Sequence, residues 1–199
     1  MRLRWWLLLV IVGLPLGFWL HAHLTFPSDQ KPEGAYLRVV IAVNKGNPSA
    51  FFPYIETEAQ HACYTVRDYR KKSVERIEAS YPETERVKNL TLYKAFADAP
   101  DGADVLALYA KQKGWLDRLR RDLSGIGRVE IQGDRATVQT VRGTRYPFRR
   151  RENGIWGLTL FTASLTAEAE RAARDAALVE QAASDYDRAK LASNPSSAP

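Results

Sequence analysis

Apolar residues recur at helical spacing through the part of the chain that follows the N-terminal segment. Ile55, Ala59, Ala62 and Val66 are separated by steps of three or four positions, which places them on one face of a helix. Glycine and proline residues divide this part into separate segments. We therefore expect amphipathic helices over residues 35–44, 49–80, 83–96 and 101–124.

The period changes from helical to alternating at Ile126. Val129 and Ile131 are apolar, and the residues beside them, Arg128 and Glu130, are charged, an alternation typical of a strand with one buried face. Turn-forming residues divide the stretch up to residue 162 into four strands, at Gly133-Asp134, Gly143 and Asn153-Gly154. The predicted fold class is α+β, with helices packed on a bent four-stranded antiparallel meander.

The loop at Gly154 decides which face of the sheet each neighbouring side chain occupies. A two-residue turn and a three-residue loop over residues 152–154 differ in register by one position, which moves side chains to the opposite face. The three-residue loop pairs Phe148 with Leu158 and keeps apolar residues together, so we favour it, with Gly154 in the left-handed region. The opposite face then carries Arg145, Arg149 and Arg151.

An alanine-rich segment over residues 164–191 follows the predicted sheet. Its apolar positions keep heptad spacing but carry little bulk, which indicates a C-terminal helix that either docks on its own domain or binds a partner. The final residues, 192–199, are rich in serine and proline and are predicted to be disordered.

The N-terminal segment is strongly apolar. Arg2 and Arg4 precede an uncharged run that carries tryptophans near both ends, as membrane anchors do at the two interfaces. A helix over residues 5–26 would be about 33 Å long, enough to cross a hydrocarbon core of about 30 Å. The run has no good A-x-A cleavage site, so we favour a transmembrane signal anchor over a cleaved signal peptide or a buried soluble helix.

The charges that flank this segment predict its orientation. Positive residues precede it and the following flank is mixed, so the N-terminus is expected in the cytoplasm and the main domain outside. The predicted location is the inner membrane, with a lipid bilayer crossed once by residues 5–26. The expected domains are an anchor over 1–26, a linker over 27–34, an α+β domain over 35–163, a helix over 164–191 and a tail over 192–199.

Two stretches resemble the nuclear-transport-factor-2-like superfamily, whose members fold as a cystatin-like cone. They are VEIQGDRATV, residues 129–138, and FRRRENGIW, residues 148–156. Membrane-anchored or secreted bacterial members of unknown function are similar in this arrangement. The resemblance covers residues 35–163 and implies a helical layer across a bent sheet. Enzymatic members resemble small isomerases and cyclases, in which an acid or base projects into the cone.

The predicted sheet offers little for such chemistry. Residues 128–162 contain no histidine, and their carboxylates lie at turns or on the polar face: Glu130, Asp134 and Glu152. General acid–base catalysis needs a group of tuned pKa within reach of the substrate. We therefore assign no catalytic residue, metal ligand or cofactor. The candidates for contact with a small ligand are Arg150, Tyr64, Asp68 and Tyr69.

Residues 142–151 form the densest basic cluster. Tyr146 and Phe148 interleave with its arginines, as in some nucleic-acid-binding segments. Strand alternation, however, directs these aromatic side chains inward, and the domain is predicted to lie outside the cytoplasm, so we expect no nucleic acid. We expect a solvated face or contact with an anionic ligand, lipid headgroup or envelope polymer. The arginines concerned are Arg145, Arg149 and Arg151.

Composition narrows the function classes only slightly. Lys and Arg exceed Asp and Glu by 29 to 23, a net charge of +6 that selects no partner by itself. Cys63 is the only cysteine, which excludes an internal disulfide framework and a cysteine-rich zinc site.

The leading hypothesis is a single-pass, membrane-anchored extracytoplasmic binding or accessory module for an envelope protein or small ligand. It has no catalytic site of its own. The alternative is a ketosteroid-isomerase-like or cyclase-like enzyme acting on a small apolar ligand in the cone, with Tyr64, Asp68 or Tyr69 as acid or base. Two or more titratable groups that converge on one cavity would favour the enzyme.

Overall fold

The computed structural model describes residues 26–193. Within them the fold is α+β, with six α-helices, one 3-10 helix and a four-stranded antiparallel sheet. The α-helices are α1 (Pro32–Asn44), α2 (Thr57–Ser80), α3 (Glu83–Ala97), α4 (Gly102–Gln112), α5 (Trp115–Asp122) and α6 (Thr162–Ser193). The 3-10 helix is Pro48–Tyr54, and the strands are β1 (Ile126–Gln132), β2 (Arg135–Thr140), β3 (Arg145–Arg150) and β4 (Trp156–Leu158). The predicted α+β class, antiparallel meander and C-terminal helix are confirmed.

Local backbone features explain how the helices differ from those predicted. α1 begins at Pro32, inside the segment 27–34 assigned to a linker, because proline suits the first turn of a helix. The predicted helix over 49–80 starts with a separate 3-10 helix before α2. The predicted helix over 101–124 is two helices, because Gly114 has a φ of 62°, a conformation that ends a helix.

The β3–β4 hairpin has the register predicted from face burial. Phe148 pairs with Leu158, and Gly154 has a φ of 82°, as the three-residue loop requires. Four side chains of the hairpin share a buried face: Tyr146, Phe148, Trp156 and Leu158. The same alternation predicts Leu160 on this face, but β4 ends at Leu158 and Leu160 is 46% exposed.

The β4 edge of the sheet is covered by the chain that leads into α2. Ile55 forms a parallel bridge with Leu158, and the Glu56 amide donates to the Leu158 carbonyl over 3.1 Å. Gly157 permits this close approach, because a Cβ at that position would lie 2.8 Å from the backbone of Glu56. The start of α2 is therefore held directly against the last hairpin.

α6 docks on its own domain, which is one of the two alternatives for the C-terminal helix. Val179 and Ala183 of α6 pack with Ile77 of α2 in an apolar cluster. Arg70 of α2 lies 2.7 Å from Asp175 of α6. The buried residues of α6 are Leu165, Ala169, Ala172, Val179 and Ala183.

The predicted membrane anchor lies outside the described residues, apart from Phe26 at its end. Among residues 26–193, no helix combines the length and the apolar character that a membrane crossing needs. Residues 194–199, most of the predicted tail, also lie outside the described part. The location and orientation inferred from the N-terminal segment stay predictions.

Candidate functional site

Two of the three arginines predicted on the outer face of the sheet contact the start of α2. Arg149 Nη1 lies 2.8 Å from Glu56 Oε1. Burial lowers the pKa of the Arg151 guanidinium, which donates only to uncharged acceptors in the described residues: Thr57 Oγ1, the Pro53 carbonyl and Gln60 Oε1. The strand face that we expected to be solvated is covered at this end.

Glu56 links three elements of the fold through its carboxylate. The side chain is 8% exposed; Oε1 accepts from Arg149, and Oε2 accepts from Thr162 Oγ1 over 2.7 Å. Thr162 is the first residue of α6. A buried carboxylate needs such partners because an unpaired charge is costly to desolvate. Glu56 therefore joins the start of α2 to β3 and to the start of α6.

The consecutive arginines of the hairpin line one cleft of about 620 Å³, beside the first turn of α2. We call it the arginine cleft; its arginines are Arg149, Arg150 and Arg151. Its acidic side chains are Glu56, Glu58 and Glu152. The three arginines and the three carboxylates balance in charge. The cleft therefore has no net charge with which to attract an anion.

The other three candidates for ligand contact do not meet Arg150. The Tyr64 ring packs edge-on against Phe52, with ring centroids 5.8 Å apart. Asp68 is exposed and pairs with the arginine that precedes it, at 2.9 Å. Tyr69 lines a groove between α2 and α6. The structure places these residues along α2 and leaves them outside the arginine cleft.

Arg145 lies at a second cleft of about 340 Å³, formed by α5, β3 and the start of α6. We call it the aromatic cleft. Trp115 and Phe161 stack in it, with ring centroids 4.5 Å apart and ring planes at 27°. Its other lining residues are Arg118, Leu119, Asp122, Thr144, Tyr146, Leu160 and Ser164. Apolar rings thus form a wall beside two exposed guanidinium groups.

Positive charge exceeds negative charge around the aromatic cleft. Asp122 lies 4.0 Å from Arg118, which is 77% exposed. Glu130 is shared by Arg128 and Arg145, each at 3.3 Å. Among the residues that line the cleft, two arginines, Arg118 and Arg145, face one carboxylate, Asp122. The excess positive charge attracts anions to this surface.

Tyr146 forms part of the inner wall of the aromatic cleft. Burial raises the pKa of its phenol to about 12, and Tyr36 and Asp122 add to the increase. The rings of Tyr146 and Tyr36 are tilted, with centroids 5.5 Å apart. A phenol with this pKa remains protonated at neutral pH, so it can donate a hydrogen bond but is poorly suited to exchange protons with a substrate.

Sequence reasoning did not find the aromatic cleft. It assigned α5 to a long helix continuous with α4, whereas Gly114 separates the two. The separate α5 brings Trp115 and Leu119 against Phe161 and β3. The available signal was the short amphipathic stretch WLDRLRRD directly after Gly114, with apolar residues on one side and arginines on the other.

The described residues contain neither a cluster of metal ligands nor an exposed thiol. Among residues 26–193, no group of three or more His, Cys, Asp or Glu side chains could hold a metal ion. Cys63 is buried, and burial raises the pKa of its thiol to about 12. A buried thiol of this kind is inert at neutral pH.

Comparisons with protein-family models, with curated proteins and with solved structures found no match. The resemblance to the nuclear-transport-factor-2-like superfamily, carried by residues 129–138 and 148–156, stays a prediction. Function is therefore inferred from the geometry and charge of the two clefts.

Proposed function

We propose that this protein is a membrane-anchored extracytoplasmic binding module that holds a small anionic ligand with a flat apolar body in the aromatic cleft. It has no catalytic site of its own. Residues 5–26 anchor it to the membrane in a single pass. The order of a helical layer and a four-stranded meander supports a place in the nuclear-transport-factor-2-like superfamily.

The observation that carries the proposal is that stacked rings lie beside two exposed arginines, Arg118 and Arg145. A volume of about 340 Å³ lies within the range of pockets for small ligands. A flat apolar group can pack against Trp115 and Phe161. The negative group of the same molecule then lies beside Arg118 and Arg145 at the rim, where guanidinium groups bind carboxylates well.

The distribution of titratable groups supports binding rather than catalysis. Tyr64, Asp68 and Tyr69 share no cleft with Arg150. The aromatic cleft contains Asp122 beside an arginine, and a tyrosine whose pKa is raised to about 12. Neither arrangement is that of an acid and base poised near neutral pH.

Binding is tested with 2-naphthoate, a flat aromatic carboxylate, titrated calorimetrically into the full chain in lipid nanodiscs, with empty nanodiscs as the blank. Ser164→Tyr fills the cleft and is expected to weaken binding at least tenfold. Ala163→Tyr is the matched control, because Ala163 is exposed and does not line the cleft. Absence of binding to the natural chain, or equal affinity in Ser164→Tyr, would contradict the proposal.

The charge requirement is tested with a second pair of variants. Arg118→Ala is expected to weaken 2-naphthoate binding several-fold, whereas Arg120→Ala should leave it unchanged, because Arg120 is exposed on α5 outside the cleft lining. The uncharged analogue 2-naphthalenemethanol should bind the natural chain and Arg118→Ala with similar affinity. If Arg118→Ala lowers the affinity for both ligands equally, Arg118 contributes through packing and not through its charge.

The anchor is tested independently of the ligand. The natural chain should resist carbonate extraction from membranes and retain Met1 or Arg2 at its N-terminus, because an uncleaved span keeps the segment before it. A soluble mature form that starts at His23 or later would refute the anchor and leave the ligand test unaffected.

A further inference from the structure

The two edges of the sheet are unequal. β4 is bridged by Ile55, whereas β1 is the other edge strand and has no strand on its outer side among residues 26–193. β1 is seven residues long, and Ile131 near its end is 55% exposed. An exposed edge of this length can pair with another strand.

The pairing of β1 with β2 shows which backbone groups point outward. Gln132 and Arg135 flank the two-residue turn, so they exchange hydrogen bonds with each other. Because the direction of backbone groups alternates along an antiparallel strand, Glu130 also directs its amide and carbonyl towards β2. Val129 and Ile131 direct theirs towards the open edge.

The charges along β1 are complementary to those of a second β1 strand that runs in the opposite direction. Arg128 and Glu130 flank Val129 and point to the same face of the sheet. Both are solvent-accessible, with side chains 72% and 36% exposed. In an antiparallel pair of two such strands centred on Val129, each arginine lies opposite a glutamate, and opposite charges across strands are stabilising.

We infer that β1 pairs antiparallel with β1 of a second copy of this chain, about a two-fold axis at Val129, so that the two sheets become one of eight strands. Arg128 then faces the partner's Glu130. Such a symmetric contact closes on itself as a dimer. It does not depend on the aromatic cleft.

The same charges disfavour the two neighbouring registers, in which the axis lies at Arg128 or at Glu130. Moving the axis to Arg128 places this residue opposite the partner's Arg128. Moving it to Glu130 places two glutamates opposite each other. Like charges directly opposite each other on adjacent strands are destabilising, so the register centred on Val129 is preferred.

The test crosslinks the full chain in detergent micelles with bismaleimidoethane, a short thiol crosslinker. Val129→Cys should give a covalent dimer, because the two introduced thiols meet at the axis. Gln132→Cys is the matched control on the same strand, since its two thiols would be about 20 Å apart at about 3.3 Å per residue. Cys63 is buried, so any crosslinking through its thiol is a background common to both variants.

Charge reversal then tests the register. In the Val129→Cys background, Arg128→Glu or Glu130→Arg alone should reduce dimer yield at least fivefold, and both together should restore at least half of it. Circular dichroism at 25 °C should show the same secondary-structure content for all variants. Three results would each overturn the inference. Val129→Cys and Gln132→Cys could crosslink equally, Val129→Cys could remain a monomer, or the reversal variants could crosslink fully.

Discussion

The arginine cleft and the aromatic cleft carry charged side chains of the same kinds but differ in what those side chains contact. In the arginine cleft, Arg149 is bound by Glu56 and Arg151 by uncharged acceptors, and the acidic residues equal the arginines in number. In the aromatic cleft, two arginines accompany a single carboxylate, Asp122, and stacked rings lie beside them.

This difference teaches that a dense run of arginines does not locate a binding surface. The three consecutive arginines at 149–151 are the longest run of arginine in the sequence, yet the fold uses two of them to hold the hairpin against α2. The arginines that line the aromatic cleft, Arg118 and Arg145, come from α5 and β3. The cleft keeps a net positive charge because only one carboxylate lines it with them.

The largest effect is expected for Trp156, which anchors the hairpin that forms one wall of the arginine cleft. It is 3% exposed, and its Nε1 donates to the Gln30 carbonyl over 3.1 Å. Trp156→Ala should lower the free energy of unfolding by about 3–5 kcal/mol through lost packing and a new cavity. Denaturant unfolding of the full chain measures this, and a loss below about 1 kcal/mol would mean that the buried face is wrongly assigned.

Substitution of Glu56 tests whether the arginine cleft stabilises the fold or binds the ligand. Glu56→Ala should cost about 2–3 kcal/mol of stability, because it leaves Arg149 and Thr162 without their shared acceptor. It should leave 2-naphthoate affinity unchanged. The control Glu58→Ala removes an exposed carboxylate and should change stability by less than about 0.5 kcal/mol. The opposite outcome, lost affinity with full stability, would make the arginine cleft the binding site.

Gly154 tests the register on which the position of every hairpin arginine depends. A Cβ added at residue 154 would meet no atom within 4 Å beyond its chain neighbours. The φ of 82° is nevertheless unfavourable for any residue with a Cβ. Gly154→Val should therefore cost about 1–3 kcal/mol through backbone strain alone. Gly154→Asn should cost less, since asparagine tolerates the left-handed region. Equal unfolding free energies for the two variants would show that the loop relaxes to another conformation.

The smallest effect concerns the pH dependence of stability at the aromatic cleft. Burial raises the pKa of Tyr146 from 10.0 to about 12, so the folded chain keeps its phenol protonated where the unfolded chain loses the proton. This contribution is complete below about pH 10 and is lost as the pH rises towards 12. Tyr146→Phe should flatten the fall in unfolding free energy over that interval. If the unfolding free energies of the natural chain and of Tyr146→Phe fall in parallel as the pH rises, the phenol is in contact with water.

Much of the local structure follows from short-range patterns. The strands, their turns and the register of the last hairpin were predictable because burial of one face and a left-handed glycine leave few alternatives. Phe148 opposite Leu158 is such a case. The break at Gly114 was not predicted, because an isolated glycine in an amphipathic pattern is compatible with a continuous helix or a terminus.

The sequence by itself determined the α+β class, the order of the elements and the face of the sheet on which Tyr146, Phe148, Trp156 and Leu158 are buried. Only the tertiary structure decided which arginines are neutralised. Glu56 reaches Arg149 from 93 residues away, and Trp115 of α5 stacks on Phe161, which lies just before α6. Secondary structure depends on neighbours along the chain, whereas the charge of a cleft depends on side chains that only folding brings together.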